Sequence, residues 1–298
     1  MRIVIAGASG LLGTHMSHTF RDAGHDVVRL VRGKPAGPAE IEWDPAAGRL
    51  DATALQGADA VVNLSGAGIG DWPWTRKRVA ELFNSRIGPT RTLAAAMHRL
   101  DSPPPVFLSQ SGSGYYGDGG STVLRETSPP GTGTLARICR EWEAAAASAP
   151  VGVRVVTPRT GVVLSRSGGA LGRLMPLLRA GVGGPLGNGR QYWPWVTLPD
   201  VSAAFLFLLT APVSGPVNLC APEQADVNTL VRALGRALHR PAALRVPAPV
   251  LRLLMRDLAE ELLLASQRME PGVLARQGFQ WEHPDVESAA AWVANRKG

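Results

Sequence analysis

The chain has 298 residues, 45% of them hydrophobic and 18% charged, enough apolar material to bury a sizeable core in one large domain or two smaller ones. Long polar tracts are absent, which excludes a disordered chain. The net charge of +7 raises nucleic-acid binding, but lysine stands only at Lys34, Lys77 and Lys297 and no run of five like charges occurs, so no nucleic-acid partner is expected.

Residues 2–6 (Arg-Ile-Val-Ile-Ala) predict a buried parallel strand, short, β-branched and ended by glycine. Residues 12–23 predict a helix with Leu12, Met16, Thr19 and Phe20 on one face; Gly24-His25 turns the chain, and 26–31 supplies a second strand. Trp43-Asp44-Pro45 closes a further short strand. Ala60–Leu64 is strand-like, and a helix runs from about Thr75 with Val79, Leu82, Phe83 and Ile87 at helical spacing. Pro89, which lacks an N–H, is expected to kink or break that helix before it continues over 91–99. Val106–Ser109 is a strand ending in a Ser/Gly-rich loop, 135–148 an Ala-rich helix, and Val153–Val156 with Val162–Leu164 bracket another strand region. The glycine-rich stretch 165–191 reads as loops around a site. Residues 199–210 form an apolar helix, 217–219 a short strand, and the pattern from Val227 is helical with proline-rich breaks at 241–249.

Strands alternating with helices predict an α/β protein: a Rossmann-like doubly wound parallel sheet with a smaller C-terminal substrate domain. The Rossmann domain is expected at 1–164, with 192–221 returning to it. Residues 165–191 and 222–298 are expected to form the smaller domain.

The main chemical signal is Gly7-Ala8-Ser9-Gly10-Leu11-Leu12-Gly13, between the first strand and the first helix. Glycines there permit a tight turn, close approach of backbone to a pyrophosphate, and close packing of helix on strand. The helix start then offers free N–H groups and a positive dipole end. Gly7, Ser9, Gly10, Leu11, Leu12 and Gly13 are therefore candidate cofactor residues. NAD sites place an acid at the end of the second strand; here Val31-Arg32-Gly33-Lys34 stands in its place. Arg32 can pair with a 2′-phosphate, which favours NADP(H). Asp44 is placed to accept from the adenine amino group, or is an exposed turn aspartate. Small residues after the central strand (Leu64, Ser65, Gly66) would let a dinucleotide lie on the backbone, and Ser109 at the next strand end is counted with them.

The G-x-x-G-x-x-G spacing resembles the extended short-chain dehydrogenase/reductases. Further segments sharpen the likeness: Trp74-Thr75, Glu81 to Arg86, Ser109 to Gly117, Glu141-Trp142-Glu143-Ala144, Gly183 to Gly189, Trp195 to Asp200, Gln267 to Pro271, and Gly278-Phe279. Together they resemble the atypical members called NAD-dependent epimerase family proteins, which carry a C-terminal domain of unknown function. The resemblance implies that Leu64, Ser65, Glu81, Arg86 and Val163 line the NADP(H) site. Arg86 would be a cation near the phosphates. Glu81 would orient Arg86 or bind a ribose hydroxyl, or the two form a helix-surface pair.

The chain departs from that superfamily at its acid–base centre. A Tyr-x-x-x-Lys pair is usual, in which the lysine readies the phenol for proton transfer. The tyrosines here, Tyr115, Tyr116 and Tyr192, are followed four residues later by Gly119, Gly120 and Val196. With Glu143 as landmark, the usual Tyr and Lys places fall at about Leu135 and Cys139. Cys139 is either a replacement nucleophile or a small core residue. Ser111 and Ser113 stand where the superfamily has its substrate-orienting serine, and Tyr115 or Tyr116 can supply a phenol; these four are the catalytic candidates. Arg159, Asn188, Gln191 and Trp193 are the candidate substrate contacts.

The six histidines show no ligand spacing, so no metal is expected. Two distant cysteines fit a reducing compartment, and neither a secretory signal nor a membrane span is visible, so a cytoplasmic protein is expected. The expected function is an NADP(H)-binding, epimerase-like oxidoreductase acting on a small polar substrate, a nucleotide sugar being one candidate. The alternative is a non-catalytic NADP(H)-binding sensor or regulator.

Overall fold

A computed structural model describes residues 1–70, 74–166, 168–169 and 171–295; positions 167 and 170 of the glycine-rich stretch and 296–298 of the expected C-terminal domain lie outside the described residues. The chain opens with β1 (Arg2–Ala6), α1 (Leu11–Asp22), β2 (Asp26–Val31) and β3 (Glu40–Glu42), all three strands parallel. β4 (Ala60–Asn63) pairs with β1 on the opposite side from β2. α2 (Arg76–Met97) leads to β5 (Val106–Ser109), the short β6 (Ser111–Gly112) and β7 (Val123–Leu124), then α3 (Thr134–Ala147) and β8 (Arg154–Thr160). Next come β9 (Val162–Leu164), α4 (Leu171–Arg179), β10 (Tyr192–Trp193), β11 (Trp195–Thr197), α5 (Leu198–Thr210) and β12 (Gly215–Leu219). The last part holds β13 (Ala225–Asp226), α6 (Val227–Ala237), α7 (Ala248–Met255), a π-helical turn at Ala259–Leu264, β14 (Arg268–Met269), α8 (Gly272–Arg276) and α9 (Val286–Ala294).

The main sheet runs β3-β2-β1-β4-β5-β8-β12, with β6 continuing beside β8. Chain order reverses between β1 and β4, so the loops after those strands diverge and leave a crevice at their carboxyl ends. Alternation along β1 sends Ile3 and Ile5 to one face and Val4 and Ala6 to the other, and both faces are covered. On the first face, Met16 and Phe20 of α1 meet Phe205 and Leu208 of α5. On the second, Leu93 and Met97 of α2 cover Val61 and Phe107. Phe20, Phe107 and Phe205 are fully buried, each contributing about 1.5–3 kcal/mol.

Three expectations need correction. Of the kink or break expected at Pro89, the break does not occur: α2 is one helix through that position. Pro89 lies on the buried side of the helix, and its neighbour Thr90 ties back to the Arg86 carbonyl at 2.7 Å, so packing and side-chain bonding outweigh the missing N–H. The glycine-rich stretch contains a helix, α4, because Met175 and Leu178 bury against a second core with Leu230, Leu234 and Trp195. The strand region around 153–164 is two strands: β8 stays in the main sheet, whereas β9 pairs with β11. Gly161 sits at that switch, where a Cβ would stand 1.7 Å from the Pro194 carbonyl oxygen.

The C-terminal segment closes back on the sheet. Leu274 and Phe279 join the core around Ile3 and Phe205. Asp200 at the start of α5 accepts the Glu282 amide at 2.7 Å, the His283 amide at 3.2 Å and the Thr197 hydroxyl at 2.7 Å. Among the described residues, no helix is long and apolar enough to cross a membrane.

Candidate dinucleotide site

The loop after β1 has the shape its glycines dictate. Gly7 has φ +78°, and a Cβ on it would lie 2.7 Å from the Leu64 carbonyl carbon. The loops after β1 and β4 therefore touch through backbone alone. A Cβ on Gly13 would meet the Gly7 carbonyl oxygen at 2.3 Å, so α1 starts tight against the loop. Gly10 is the N-cap of α1 and no side chain caps it; the first turn holds no acid. Ser9 and Gly10 are exposed. The unclaimed N–H groups and dipole of this helix start suit a phosphate. Gly169 backs onto the same place: a Cβ there would be 3.1 Å from the Val163 carbonyl oxygen and 3.4 Å from a Leu11 methyl. Val163 and Leu11 are thus brought together.

The loop after β4 is held by Asn63, which is fully buried. Its amide donates to the Thr90 hydroxyl at 2.8 Å and the Ser109 hydroxyl at 3.2 Å, while its oxygen accepts the Ser65 amide at 3.1 Å. Ser65 carries a buried hydroxyl with no hydrogen-bond partner. Beneath Gly66 lies Arg86, 6% exposed, its guanidinium donating to the Ala67 and Leu82 carbonyls, each at 2.9 Å, with Trp142 5.3 Å away. Among the described residues no carboxylate pairs with it, and burial pulls its pKa down to about 10. A buried cation without an acid is costly unless an anion arrives. Glu81 does not serve it: this exposed carboxylate pairs with Arg78 at 2.8 Å. Arg32 is exposed, one residue beyond β2, with no hydrogen-bond or ion-pair partner among the described residues. Asp44 is a turn residue, accepting from the Ala47 amide at 3.1 Å and the Arg49 guanidinium at 2.7 Å.

Across the crevice, the catalytic candidates divide. Ser111, 1% exposed, donates its hydroxyl to Glu143 at 2.7 Å. Glu143 also takes two bonds from Arg159, each 2.8 Å. Arg159 reaches the Tyr116 oxygen at 2.9 Å, and the Tyr116 hydroxyl donates to Asn218 at 2.6 Å. Burial pushes the Tyr116 phenol up to about 12, although Arg159 opposes the shift. For Arg159 burial alone would lower the pKa, but Glu143 and Tyr116 hold it raised. Ser111, Tyr116 and Arg159 thus belong to one interior network, in which Arg159, expected to contact substrate, is 3% exposed and paired with Glu143. Ser113 and Tyr115 are half-buried, and their hydroxyls bond no described residue; the Tyr115 ring lies 3.4 Å from the Arg159 guanidinium carbon.

Neither place expected for the usual Tyr and Lys holds a proton-transfer group: one is Leu135, the other Cys139. Leu135 packs with Leu82 and Ile138, with Ile69, Trp74 and Leu262 around them. A Cβ on Gly114 would sit 2.8 Å from that of Leu135. The Cys139 thiol is buried and pushed up to about 11, first by burial and then by Glu143, which removes it as a nucleophile.

Gln191 and Trp193 both donate to the Leu263 carbonyl, at 3.0 and 3.3 Å, and so tie down the π-helical turn; both are 6% exposed. Asn188 is exposed and accepts the Arg190 amide at 2.8 Å in a tight turn. Two groups had no sequence signal. Asn63 reads as a strand residue, and Glu261, 126 residues from its partner, accepts the Thr134 and Leu135 amides at 2.9 and 2.7 Å. Among the described residues no metal-ligand cluster occurs.

A doubly wound parallel sheet with a glycine crossover after β1, an open helix start above it and a C-terminal segment folded over the sheet defines an extended short-chain dehydrogenase/reductase. The chain belongs to the NAD dependent epimerase/dehydratase family, whose model matches residues 3–220, and residues 246–293 match a domain of unknown function, DUF1731. An epimerase family protein of Mycobacterium bovis is 41% identical over 298 residues, covering 99% of this chain and 98% of the relative. The crystal structure of human epimerase family protein SDR39U1 with NADPH is similar at 32% identity and a TM-score of 0.91, covering 99% of both chains. The nucleoside-diphosphate sugar epimerase of Corynebacterium glutamicum is 30% identical with a TM-score of 0.79, covering 99% of this chain and 58% of that one.

Proposed function

We propose that this chain binds NADP(H) between the loops after β1 and β4 and acts as an epimerase-like oxidoreductase on a small polar substrate. The choice of NADP(H) rests on one observation: Arg32 stands exposed and unpaired just beyond β2, where an NAD site needs an acid. The residues present fit the dinucleotide. Gly7 and Gly13 leave no room for side chains where the backbone must approach it, and among the described residues the buried Ser65 hydroxyl has no partner and the buried Arg86 cation no acid. The amides at Leu11, Leu12 and Gly13 hold the pyrophosphate, Arg32 takes the 2′-phosphate, and Ser65 and Arg86 face the ligand from the β4 side. When bound, the nicotinamide donates or accepts a hydride. Ser113 and Tyr115 carry the free hydroxyls near the β5 end, and we assign them proton transfer to the substrate. The human relative crystallised with NADPH supports the same cofactor.

Calorimetry tests this. NADPH is expected to bind at least about tenfold more tightly than NADH, and Arg32→Asp to erase that preference. No association with either nucleotide would overturn the reading.

A second reading has its own observation. Leu135, in an apolar cluster, and the buried thiol of Cys139 occupy the places where the superfamily has its proton-transfer pair, which favours a sensor that binds NADP(H) without turnover. Tight NADPH binding with no oxidation across a panel of carbonyl compounds and sugar nucleotides would decide for it.

A further inference from the structure

Away from the crevice, α6 and the loop after it line an open surface cleft of about 580 Å³. Asn228, Arg232, Arg236 and His239 follow one another along one face of α6 and its end, and Arg240 and Arg245 complete the wall from the loop. Among the described residues, no acid lines it, and its aromatic ring is the His239 imidazole. Arg232 and Arg236 are one helical turn apart, a like-charge spacing that repels.

Some of this charge has a structural partner. The C-terminal end of α6 attracts cations such as Arg236, His239 and Arg240. Arg236 also pairs with Glu287 of α9, and Arg240 donates to the Arg179 carbonyl at 3.1 Å. Neither account covers Arg232 and Arg245. Both are exposed, and neither makes an ion pair or hydrogen bond through its side chain among the described residues. Arg232 precedes the last turn of α6, and Arg245 lies beyond the helix.

We propose that this cleft is a second anion site, taking a small phosphorylated ligand through its phosphate chain. The volume is that of a small-molecule pocket. Guanidinium groups suit phosphate through paired N–H donors. A single-stranded nucleic acid is disfavoured, because sites for it stack successive bases on several aromatic rings, and the cleft offers the His239 imidazole without a Phe, Tyr or Trp. The inference stands independently of the cofactor reading.

The test is calorimetric titration of the full chain with inorganic tripolyphosphate, comparing wild type, Arg232→Gln/Arg245→Gln, and Arg91→Gln/Arg140→Gln. The last pair removes equal charge from exposed positions on α2 and α3. A saturable component, weakened at least about tenfold in the cleft variant and unchanged in the control, is expected. Absent binding, equal weakening in both variants, or no weakening in the cleft variant (the anion then sits elsewhere) would overturn the site. A short single-stranded oligonucleotide forms a second arm; tighter binding than tripolyphosphate through Arg232 and Arg245 would overturn the small-ligand assignment.

Discussion

Arg159 grips Glu143 with two parallel bonds, Nε to Oε1 and Nη2 to Oε2, each 2.8 Å. The pair lies beneath β6, where Ser111 and Tyr116 complete its hydrogen bonding. Removing one partner leaves the other charge buried alone. Glu143→Gln should therefore cost about 3 kcal/mol in urea unfolding, against about 1 kcal/mol for Tyr116→Phe, which removes one neutral group. Equal small losses in both would show that the network carries little stability.

The glycines of the phosphate loop should separate folding from binding. Gly7→Ala and Gly13→Ala put a methyl into backbone at 2.7 and 2.3 Å and should lower the melting temperature sharply. Gly10→Ala meets only ordinary contact at 3.5 Å. It should change stability by no more than about 1 kcal/mol while weakening NADPH binding. Thermal melts and nucleotide titrations on the three variants check this.

Arg86→Met should leave the nucleotide-free protein about as stable as wild type, since it removes a buried unpaired charge along with its carbonyl contacts. NADPH affinity should fall about tenfold or more, the loss of one charge-assisted contact. A variant that binds NADPH normally would take Arg86 out of the site.

The Cys139 thiol is held up to about 11 in the fold, against 9.0 for the free group. Between those values the unfolded chain releases a proton that the native state keeps, so stability falls as pH rises from about 9 to about 11. The contribution is of the order of 2 kcal/mol. Tyr116 acts in the same direction at higher pH, and Arg86, with its lowered pKa, in the opposite one. Urea unfolding across this range should show a shallower decline for Cys139→Ala than for wild type. Alkylation of Cys139 in the native protein at neutral pH should be slow.

Glu261 caps α3 from a segment far along the chain. Glu261→Ala should cost about 1 kcal/mol and speed amide exchange specifically at Thr134 and Leu135. Unchanged protection there would mean that α3 holds its first turn unaided.

The phosphate loop was legible because each glycine answers a local geometric need: Gly7 turns left-handed, and Gly13 presses on the strand end. The place of Arg32, just beyond the end of the second strand, was legible because a largely apolar, β-branched run ends there. Pro89 misled because its local cost is outweighed by packing seen only in three dimensions, and α4 because flanking glycines masked the apolar run that includes Met175 and Leu178. The Ser111, Glu143, Arg159 and Tyr116 network was invisible as a unit, since its members are 5 to 48 residues apart and no spacing rule joins them. Arg159 in particular reads as a candidate substrate contact until Glu143 is placed beside it.

The seating of Leu274 and Phe279 against the sheet, and the hold of Asp200 on Glu282 and His283, bear on how the protein is made. A nascent chain leaves the ribosome N-terminus first. The Rossmann sheet is then complete in sequence once β12 has emerged, yet part of one face stays bare until the final segment is translated. During that interval the apolar flank around Phe205 and Phe207 is open to chaperones or to other nascent chains, and a message cut short before the last helices would yield a sticky intermediate.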